Sequence, residues 1–238
     1  MPSSNVKLKR IGVMGGTFDP VHIGHTELAQ EALQRLELDE LYLMPCKLHP
    51  QNKLPSASPS QRLEMLELAL TDYPQLAVDS RELQLDAVSY TAESLRDIRQ
   101  TYGDNVILCF LLGVDAFASL TTWHQWERLL KLANLVVLER AGYDSGEAVT
   151  SPVLQAMLAD AVEYIVTVSG SVQRLQLTPF DLSSTQIRAE LAELDYEILE
   201  HHMNGEAKSS QLRWEERLSP KVSKFIVKNG LYGLEAID

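Results

Sequence analysis

The sequence predicts an α/β fold in which helices cover both faces of a mostly parallel β-sheet. Short apolar runs alternate with longer segments of helical period, and this alternation is typical of repeated βαβ units. Right-handed crossovers between such units give a Rossmann-like layout. The 238 residues, 45% of them hydrophobic, suffice for one large domain with a sizeable core. We therefore expect a single domain over residues 1–238, which includes a small C-terminal helical part.

The elements of this fold follow from the local pattern, taken in chain order. Strands are predicted where short apolar and β-branched runs occur, at residues 11–14, 41–44, 76–78, 106–112, 135–138 and 164–168. Segments of helical period predict helices at residues 25–36, 60–71, 91–102, 123–132 and 153–160. Residues 45–59 are rich in proline and polar residues, which predicts a long loop. Ligands should bind beyond the carboxyl ends of the strands.

The net charge, the length of the apolar runs and the cysteine spacing limit the class of protein. The formal net charge is −12, which argues against a nucleic-acid partner because phosphate backbones are bound through clustered Lys and Arg. No apolar run reaches the length of a membrane span, so we expect neither an anchor nor a signal peptide. Cys46 and Cys109 have no metal-ligand spacing and are predicted to be reduced thiols in or near the core. We expect a cytoplasmic protein.

The stretch GGTFDPVHIGH, residues 15–25, is the strongest local signal for a site. Gly15 and Gly16 follow an apolar run and allow the backbone to turn tightly and to approach an anion. The helix predicted next would favour negative charge at its N-terminus. His22 and His25 are three residues apart, so on a first helical turn they share a face and could aim two imidazoles at one phosphoryl group. The stretch therefore predicts a nucleotide phosphate site.

The same residues admit other interpretations. It is not GxGxxG and lacks the Lys of a Walker A sequence, so neither dinucleotide binding nor P-loop hydrolysis follows. His22 and His25 could instead cap a helix or fill a groove, but two histidines behind a Gly-Gly turn favour a functional role. A zinc site is a third option, although Asp19 is better placed for a turn or cap. We expect no dedicated protein metal ligands.

The second candidate constellation is LSSTQIR, residues 182–188. Its hydroxyl residues predict the start of a helix, and Arg188 follows one turn after Ser184, so the Arg188 side chain should lean back toward the N-terminus. A cation there is opposed by the helix dipole unless an anion such as a triphosphate also binds. A capped helix with a solvated Arg is the alternative.

GGTFDPVHIGH together with SSTQIR resembles the nucleotidyltransferase superfamily with the HxGH signature, and in particular the bacterial nicotinate-nucleotide adenylyltransferases. The resemblance covers most of the chain. Further matching residues are Ser89-Tyr90-Thr91, Gly113-Val114-Asp115 followed by Trp123, Arg140 within Glu139–Tyr143, and Ser219-Pro220 through Asn229-Gly230-Leu231-Tyr232.

The resemblance implies direct transfer of AMP from ATP to nicotinate mononucleotide, giving deamido-NAD and pyrophosphate without a covalent enzyme intermediate. It implies Mg²⁺ bound mainly through the ATP phosphates. By resemblance, the catalytic residues that hold the transferring phosphates are His22, His25 and Arg188. The other ATP-binding residues are Gly15, Gly16, Thr17, Phe18 and Asp19 in the loop, Asp115 on the ribose side, and Ser184 and Thr185 beside Arg188.

On the mononucleotide side, the resemblance implies that Trp123 stacks on the pyridine ring and that Thr91 with nearby backbone donors selects its carboxylate. Arg140 is similar to an arginine on this side, and His124 stands where the family often has an aromatic residue. The family often has a Pro-Pro-His-Lys/Arg run where this chain has residues 47–53. Lys53 is the expected loop cation there, with Lys47 and His49 as alternatives.

A second departure from the family pattern is an acidic, helical insertion expected at residues 190–215. It could be a lid, an oligomer contact or a solvated extension, and the sequence leaves open whether the protein is a homo-oligomer. Two other functions stay open as well. One is another HxGH nucleotidyltransferase such as phosphopantetheine adenylyltransferase, and the other is a non-catalytic nucleotide-binding regulator, against which the intact His22, His25 and Arg188 count.

Overall fold

The computed structural model describes residues 7–47, 55–85, 88–140, 148–178, 182–193 and 214–234. Six strands form one parallel sheet with the order β3-β2-β1-β4-β5-β6. The strands are β1 (Lys9–Gly16), β2 (Glu40–Pro45), β3 (Leu76–Val78), β4 (Val106–Gly113), β5 (Asn134–Arg140) and β6 (Val172–Leu177). The chain thus reverses its direction of winding between β1 and β4. This order confirms the predicted Rossmann-like layout and places a switch point beside β1.

Helices cover both faces of the sheet, as the alternating pattern predicts. They are α1 (Ile23–Arg35), α2 (Pro59–Leu70), α3 (Thr91–Tyr102), α4 (Val114–Ala118), α5 (Leu129–Leu132), α6 (Pro152–Ala159), α7 (Ser184–Ala192) and α8 (Pro220–Lys228). Short 3₁₀ helices lie at Arg81–Gln84, Leu120–Thr122, Trp126–Arg128, Glu215–Arg217 and Leu231–Gly233. Helices α7 and α8 form the predicted C-terminal helical part. No helix in the described ranges is both long and apolar enough to cross a membrane.

The hydrophobic core lies in two layers because side chains alternate across the sheet. In β4, Cys109 and Leu111 face one layer, which α1, α2, α7 and α8 complete. Leu108 and Phe110 face the other layer, which α3 to α6 complete. Strand β4 is buried at every residue except its last, Gly113, as expected for a central parallel strand covered on both faces. Cys109 is a buried free thiol, as predicted.

The prediction of a sixth strand at residues 164–168 is wrong. The place beside β5 is taken by β6, whose residues pair from Leu135 with Val172 to Arg140 with Leu177. The predicted segment instead exposes Tyr164 and Val166, at 70% and 77% of their surface. An apolar run alone does not mark the edge strand, because the strand observed there has mixed buried and exposed residues along its length.

The prediction of a continuous helix at residues 123–132 is also wrong. Gln125 adopts a left-handed backbone conformation with φ 53°, so the helical turns begin only at Trp126, first as a 3₁₀ helix and then as α5. The other predicted helices begin and end within two residues of those observed. Most of the expected insertion, residues 194–213, lies outside the described residues, and α7 ends before it.

Candidate active site

A cavity of about 640 Å³ opens at the carboxyl ends of β1 and β4, at the switch point of the sheet. Parallel α/β sheets bind their ligands at this place. Its walls come from the ends of β1, β2 and β4, from the starts of α3 and α4, and from residues 119–124, with Glu82 and Ser89 also in the lining. The predicted site residues that line the cavity are Gly15, Gly16, Thr17, Thr91, Asp115, Trp123 and His124.

Gly15 and Gly16 serve the loop in different ways. A Cβ on Gly16 would lie 2.8 Å from the ring of Phe18, which is too close for any real contact. A Cβ on Gly15 would meet the Phe110 ring at 3.6 Å, an ordinary contact. Gly16 is therefore required by packing within the protein. Gly15 is exposed in the cavity wall, where a bare backbone leaves room for a ligand.

Phe18 turns the loop and supports the histidines. Its backbone has a φ of 51°, in the left-handed region that few non-glycine residues occupy. Its side chain is buried, and its ring meets the ring of His25 edge-on at 5.0 Å. The packing of Phe18 against Gly16 on one side and His25 on the other sets the path of the loop into α1.

His22 and His25 share the first turn of α1, as predicted. His22 is the residue before the helix, and its backbone N–H donates to Nδ1 of His25 at 3.2 Å. The two rings stack with their centroids 3.7 Å apart and their planes at 27°. Because Nδ1 of His25 accepts a hydrogen bond, the proton of the neutral ring belongs on Nε2. His25 is thereby prepared to donate a hydrogen bond from Nε2.

The environment of His25 disfavours its positively charged form. Burial lowers the pKa of His25 well below its usual value, and the neighbouring His22 lowers it further. Two imidazolium rings at this separation would repel each other strongly. His25 is therefore neutral near pH 7, and it can act as an uncharged donor toward a phosphate oxygen.

Asp19 anchors the loop instead of facing solvent. Its buried carboxylate accepts hydrogen bonds from the backbone N–H of Ser56 at 2.6 Å, the N–H of Ala57 at 3.1 Å and the hydroxyl of Tyr232 at 2.8 Å. The side chain is thus occupied by protein donors from two distant segments. If Asp19 contributes to ATP binding, as predicted, it does so through its backbone and by holding the loop in position.

The start of α7 docks on the same loop, so the structure brings the two predicted constellations together. The hydroxyl of Ser184 donates to the Pro20 carbonyl at 2.9 Å. Arg188 donates from Nη1 to the Asp19 carbonyl at 2.6 Å and from Nη2 to Oγ1 of Thr185 at 3.2 Å. The Arg188 side chain therefore leans back toward the N-terminus of its helix, as predicted. His22, His25 and Arg188 are not among the residues that line the cavity itself.

Aromatic rings form the far wall of the cavity. Trp123 is partly buried, and its ring lies edge-on to Phe110 with centroids 6.4 Å apart. The ring of His124 lies 4.3 Å from that of Tyr90, the residue before α3. Thr91 is the first residue of α3 and lines the cavity beside them. The wall therefore combines ring faces with the N-terminal end of a helix.

The remaining predicted residues are placed only in part. Asp115 is exposed in the first turn of α4. Lys47 donates from Nζ to the Leu85 carbonyl. Lys53 and His49 lie outside the described residues, and so does the side chain of Arg140, whose backbone ends β5.

Arg62 is a residue of the site that the sequence interpretation missed. Its side chain is fully buried, and it donates from Nη1 to the Thr17 carbonyl at 2.8 Å and from Nη2 to the Lys47 carbonyl at 3.1 Å. Burial lowers the pKa of Arg62. A signal was present, because Arg62 shares the buried face of α2 with Met65 and Leu66, three and four residues on.

The described side chains do not form a metal centre of their own. Within the described ranges, no group of three or more His, Cys, Asp or Glu side chains could hold a metal ion. The carboxylate of Asp19 is occupied by protein donors, as described above. Asp115 is an exposed carboxylate that lines the cavity.

The parallel sheet and the loop at its switch point define a protein of the cytidylyltransferase-like class, and the family model of that description matches residues 13–190. The chain is 44% identical over 179 residues to a probable nicotinate-nucleotide adenylyltransferase of Cellvibrio japonicus, covering 75% of this chain and 85% of the relative. It is 43% identical over 187 residues to one of Chromobacterium violaceum, covering 77% and 87%. The chain belongs to the nicotinate-nucleotide adenylyltransferase family.

A solved structure shares the fold. The nicotinic acid mononucleotide adenylyltransferase of Plasmodium falciparum, determined in complex with NaAD, superposes with a TM-score of 0.68 at 16% sequence identity. The match covers 95% of this chain and 98% of that one. At this identity the likeness supports the architecture alone.

Proposed function

We propose that this chain transfers AMP from ATP to nicotinate mononucleotide, giving nicotinate adenine dinucleotide and pyrophosphate in NAD biosynthesis. The observation that carries the proposal is a single cavity walled on one side by the glycine loop and on another by Trp123, His124 and the start of α3. Such a cavity suits a phosphate donor and an aromatic acceptor side by side. The names of the two bacterial relatives support the same reaction.

The proposed reaction needs little acid–base catalysis from the protein. An oxygen of the mononucleotide 5′-phosphate attacks the α-phosphorus of ATP in line, a P–O bond forms, and the bond to the leaving pyrophosphate breaks. The nucleophile is already ionised, so no base has to remove a proton from it. The chain contributes by positioning the two phosphates and by stabilising the negative charge that develops between them.

His22, His25 and Arg188 are the residues proposed for that work. A neutral His25 donates from Nε2 to a phosphate oxygen, and His22 lies stacked against it. The planar guanidinium of Arg188 has five N–H donors in a fixed geometry. Two of its nitrogens are fixed by the Asp19 carbonyl and by Thr185, which orients the group beside the loop.

The acceptor is proposed to bind at the aromatic wall. Trp123 stacks on the pyridine ring, while Thr91 and backbone N–H groups at the start of α3 bind its carboxylate, since a helix N-terminus favours negative charge. His124, Arg140 and Lys53 are proposed contacts of the mononucleotide, and Asp115 is proposed on the ribose side of ATP.

Mg²⁺ is the proposed cofactor, held mainly by the ATP phosphates. When bound, it supplies positive charge that offsets the charge of the phosphates. A single catalytic domain, a cytoplasmic location, and the absence of nucleic-acid and membrane partners stay predictions, as does any homo-oligomer.

The test is pyrophosphate release from ATP and Mg²⁺ with nicotinate mononucleotide, nicotinamide mononucleotide or phosphopantetheine offered separately, and with the product identified by mass. We expect release with nicotinate mononucleotide at a kcat/KM far above the other two. Release with phosphopantetheine alone would keep the chemistry and overturn the acceptor. ATP binding without release in any arm would instead identify a nucleotide-binding regulator.

A further inference from the structure

Glu82 is a carboxylate of the cavity wall that the proposed reaction does not use. It lies in the 3₁₀ helix Arg81–Gln84 and lines the cavity, yet only 5% of its surface is exposed. Its Oε2 accepts from the hydroxyl of Ser89 at 2.7 Å, and its Oε1 accepts from the hydroxyl of Ser94 at 2.6 Å. Both serines are buried.

This arrangement is a closed hydrogen-bonded unit. A buried carboxylate is costly unless its oxygens are bonded, and here each oxygen has a hydroxyl donor. Burial raises the pKa of Glu82, and the two serine hydroxyls act in the opposite direction. The short distances and the burial of all three side chains fix their relative positions.

The two serines bracket the residues of the acceptor wall. Ser89 comes directly before Tyr90 and Thr91, and Ser94 lies in the first turn of α3 just after them. Tyr90 precedes the helix and makes no side-chain capping bond, while its carbonyl accepts from the backbone N–H groups of Glu93 and Ser94. Glu82 therefore holds the start of α3 through hydrogen bonds to one residue before Thr91 and one residue after it.

The two serine hydroxyls also fix the orientation of the Glu82 carboxyl group in the cavity wall. A carboxylate that turned from the serines toward the ligand would repel nicotinate and would accept a hydrogen bond from the amide of nicotinamide. The serine bonds hold Glu82 away from that orientation.

We propose that Glu82 is a positioning and specificity-determining residue, which through Ser89 and Ser94 holds Tyr90 and Thr91 in place and thereby sets the preference for nicotinate over nicotinamide mononucleotide. The proposal rests on the proposed function, since it concerns the acceptor of that reaction. It assigns Glu82 no contact with the reacting atoms.

The test compares the wild type with Glu82→Gln, Glu82→Ala and Ser89→Ala. Each is assayed for kcat and KM with ATP, nicotinate mononucleotide and nicotinamide mononucleotide, and for its melting temperature. Glutamine has the same length and can still bond both hydroxyls, because its NH₂ donates to a hydroxyl oxygen. Alanine removes the partner of the Ser89 hydroxyl and leaves the Ser94 hydroxyl with its 3.4 Å bond to the Tyr90 carbonyl.

We expect Glu82→Ala to raise the KM for nicotinate mononucleotide at least tenfold and to lower the nicotinate-to-nicotinamide ratio of kcat/KM by a similar factor, with the KM for ATP unchanged. Glu82→Gln should stay within about threefold of the wild type. Ser89→Ala keeps the charge but removes one hydroxyl, so it should lower the same ratio.

A purely structural role for Glu82 would lower the melting temperature and leave the ratio intact, and that result would overturn the proposal. If Glu82→Ala does not fold, the nicotinate-to-nicotinamide ratio of kcat/KM in Ser89→Ala tests the proposal instead. A wild type that is inactive with nicotinate mononucleotide would refute the proposed function instead. If the wild type is active and the ratio of kcat/KM is unchanged in both Glu82→Ala and Ser89→Ala, the role of Glu82 alone is refuted.

Discussion

The hydroxyl of Tyr232 donates to Oδ1 of Asp19 at 2.8 Å and so joins two residues 213 positions apart. Burial and the adjacent Asp19 carboxylate raise the pKa of Tyr232, which keeps the hydroxyl protonated as a donor. The backbone N–H groups of Ser56 and Ala57 complete the set of donors. One carboxylate therefore fastens the C-terminal segment and the entry to α2 onto the loop that leads to His22.

Tyr232→Phe should destabilise the protein by about 1–2 kcal/mol, because one bond to a buried carboxylate is lost while two backbone donors remain. It should also lower kcat, since the loop carrying His22 is less firmly held. Denaturant unfolding and steady-state kinetics measure the two effects. Tyr73→Phe is the matched control, because the Tyr73 hydroxyl donates to the carboxylate of Glu27 on the exposed surface. Equal effects of the two variants would contradict this role of Tyr232.

Gly15→Ala should mainly affect ATP binding, whereas Gly16→Ala should mainly affect stability. Gly15→Ala adds a methyl group that contacts Phe110 normally, so stability should change by less than about 1 kcal/mol, while the KM for ATP rises because the methyl occupies the cavity wall. Gly16→Ala forces the Phe18 ring to move and should cost about 1–3 kcal/mol of stability. Melting curves and ATP kinetics separate them. Full activity of Gly15→Ala would show that no ligand approaches there.

The stability of the protein should depend on pH through His25. Its pKa is lowered in the folded state, so below about pH 6.5 the unfolded chain takes up a proton that the folded chain does not. The free energy of unfolding should therefore fall as the pH is lowered from 7 to 5, by at most about 1.4 kcal/mol per pH unit from this group.

The measurement is the difference in unfolding free energy between the wild type and His25→Asn at several pH values. Asparagine retains an acceptor for the His22 N–H but does not titrate, and most other titrating groups cancel in the difference. A flat difference, or one of opposite sign, would show that His25 titrates normally in the folded state.

His22→Ala should lower turnover by roughly 10³-fold with little change in folding, as expected when a donor to a developing charge is removed. Pyrophosphate release and circular dichroism check the two parts of this expectation. Near-normal turnover in a folded variant would remove His22 from the catalytic set.

Trp123→Ala should chiefly raise the KM for the mononucleotide, because the stacking face is lost while the phosphate residues stay in place. Trp126→Ala is the matched control, since Trp126 is equally half-buried but is not among the residues lining the cavity. An unchanged KM for the mononucleotide in Trp123→Ala would show that Trp123 serves only in packing.

The sequence predicts the fold well where a segment has one strong period. Strands β1 to β5 and helix α3 fall where the apolar pattern places them. The sixth strand was misplaced because residues 164–168 have the stronger apolar character, whereas the edge strand Val172–Leu177 needs only alternate buried residues. The left-handed Gln125 that breaks the expected helix has no signal in side-chain periodicity.

The site was predictable where residues act within one short motif. The stacking of His22 on His25 follows from their spacing, and the backward lean of Arg188 follows from helix geometry. The role of Glu82 could not be predicted because its partners are ordinary serine hydroxyls. Tyr232 belongs to the matching C-terminal residues, but its bond to Asp19 could not be predicted across 213 positions of the chain. Such pairings arise from tertiary packing, which local pattern does not encode.

Arg62 links the loop after β1 to the chain at Lys47, just after β2. A single planar guanidinium bridges the carbonyls of Thr17 and Lys47, so a shift of either loop leaves a buried N–H unpaired, at about 1–3 kcal/mol. Lysine has one nitrogen and could not span both carbonyls. Any displacement of Thr17 would therefore disturb the same guanidinium that binds the Lys47 carbonyl.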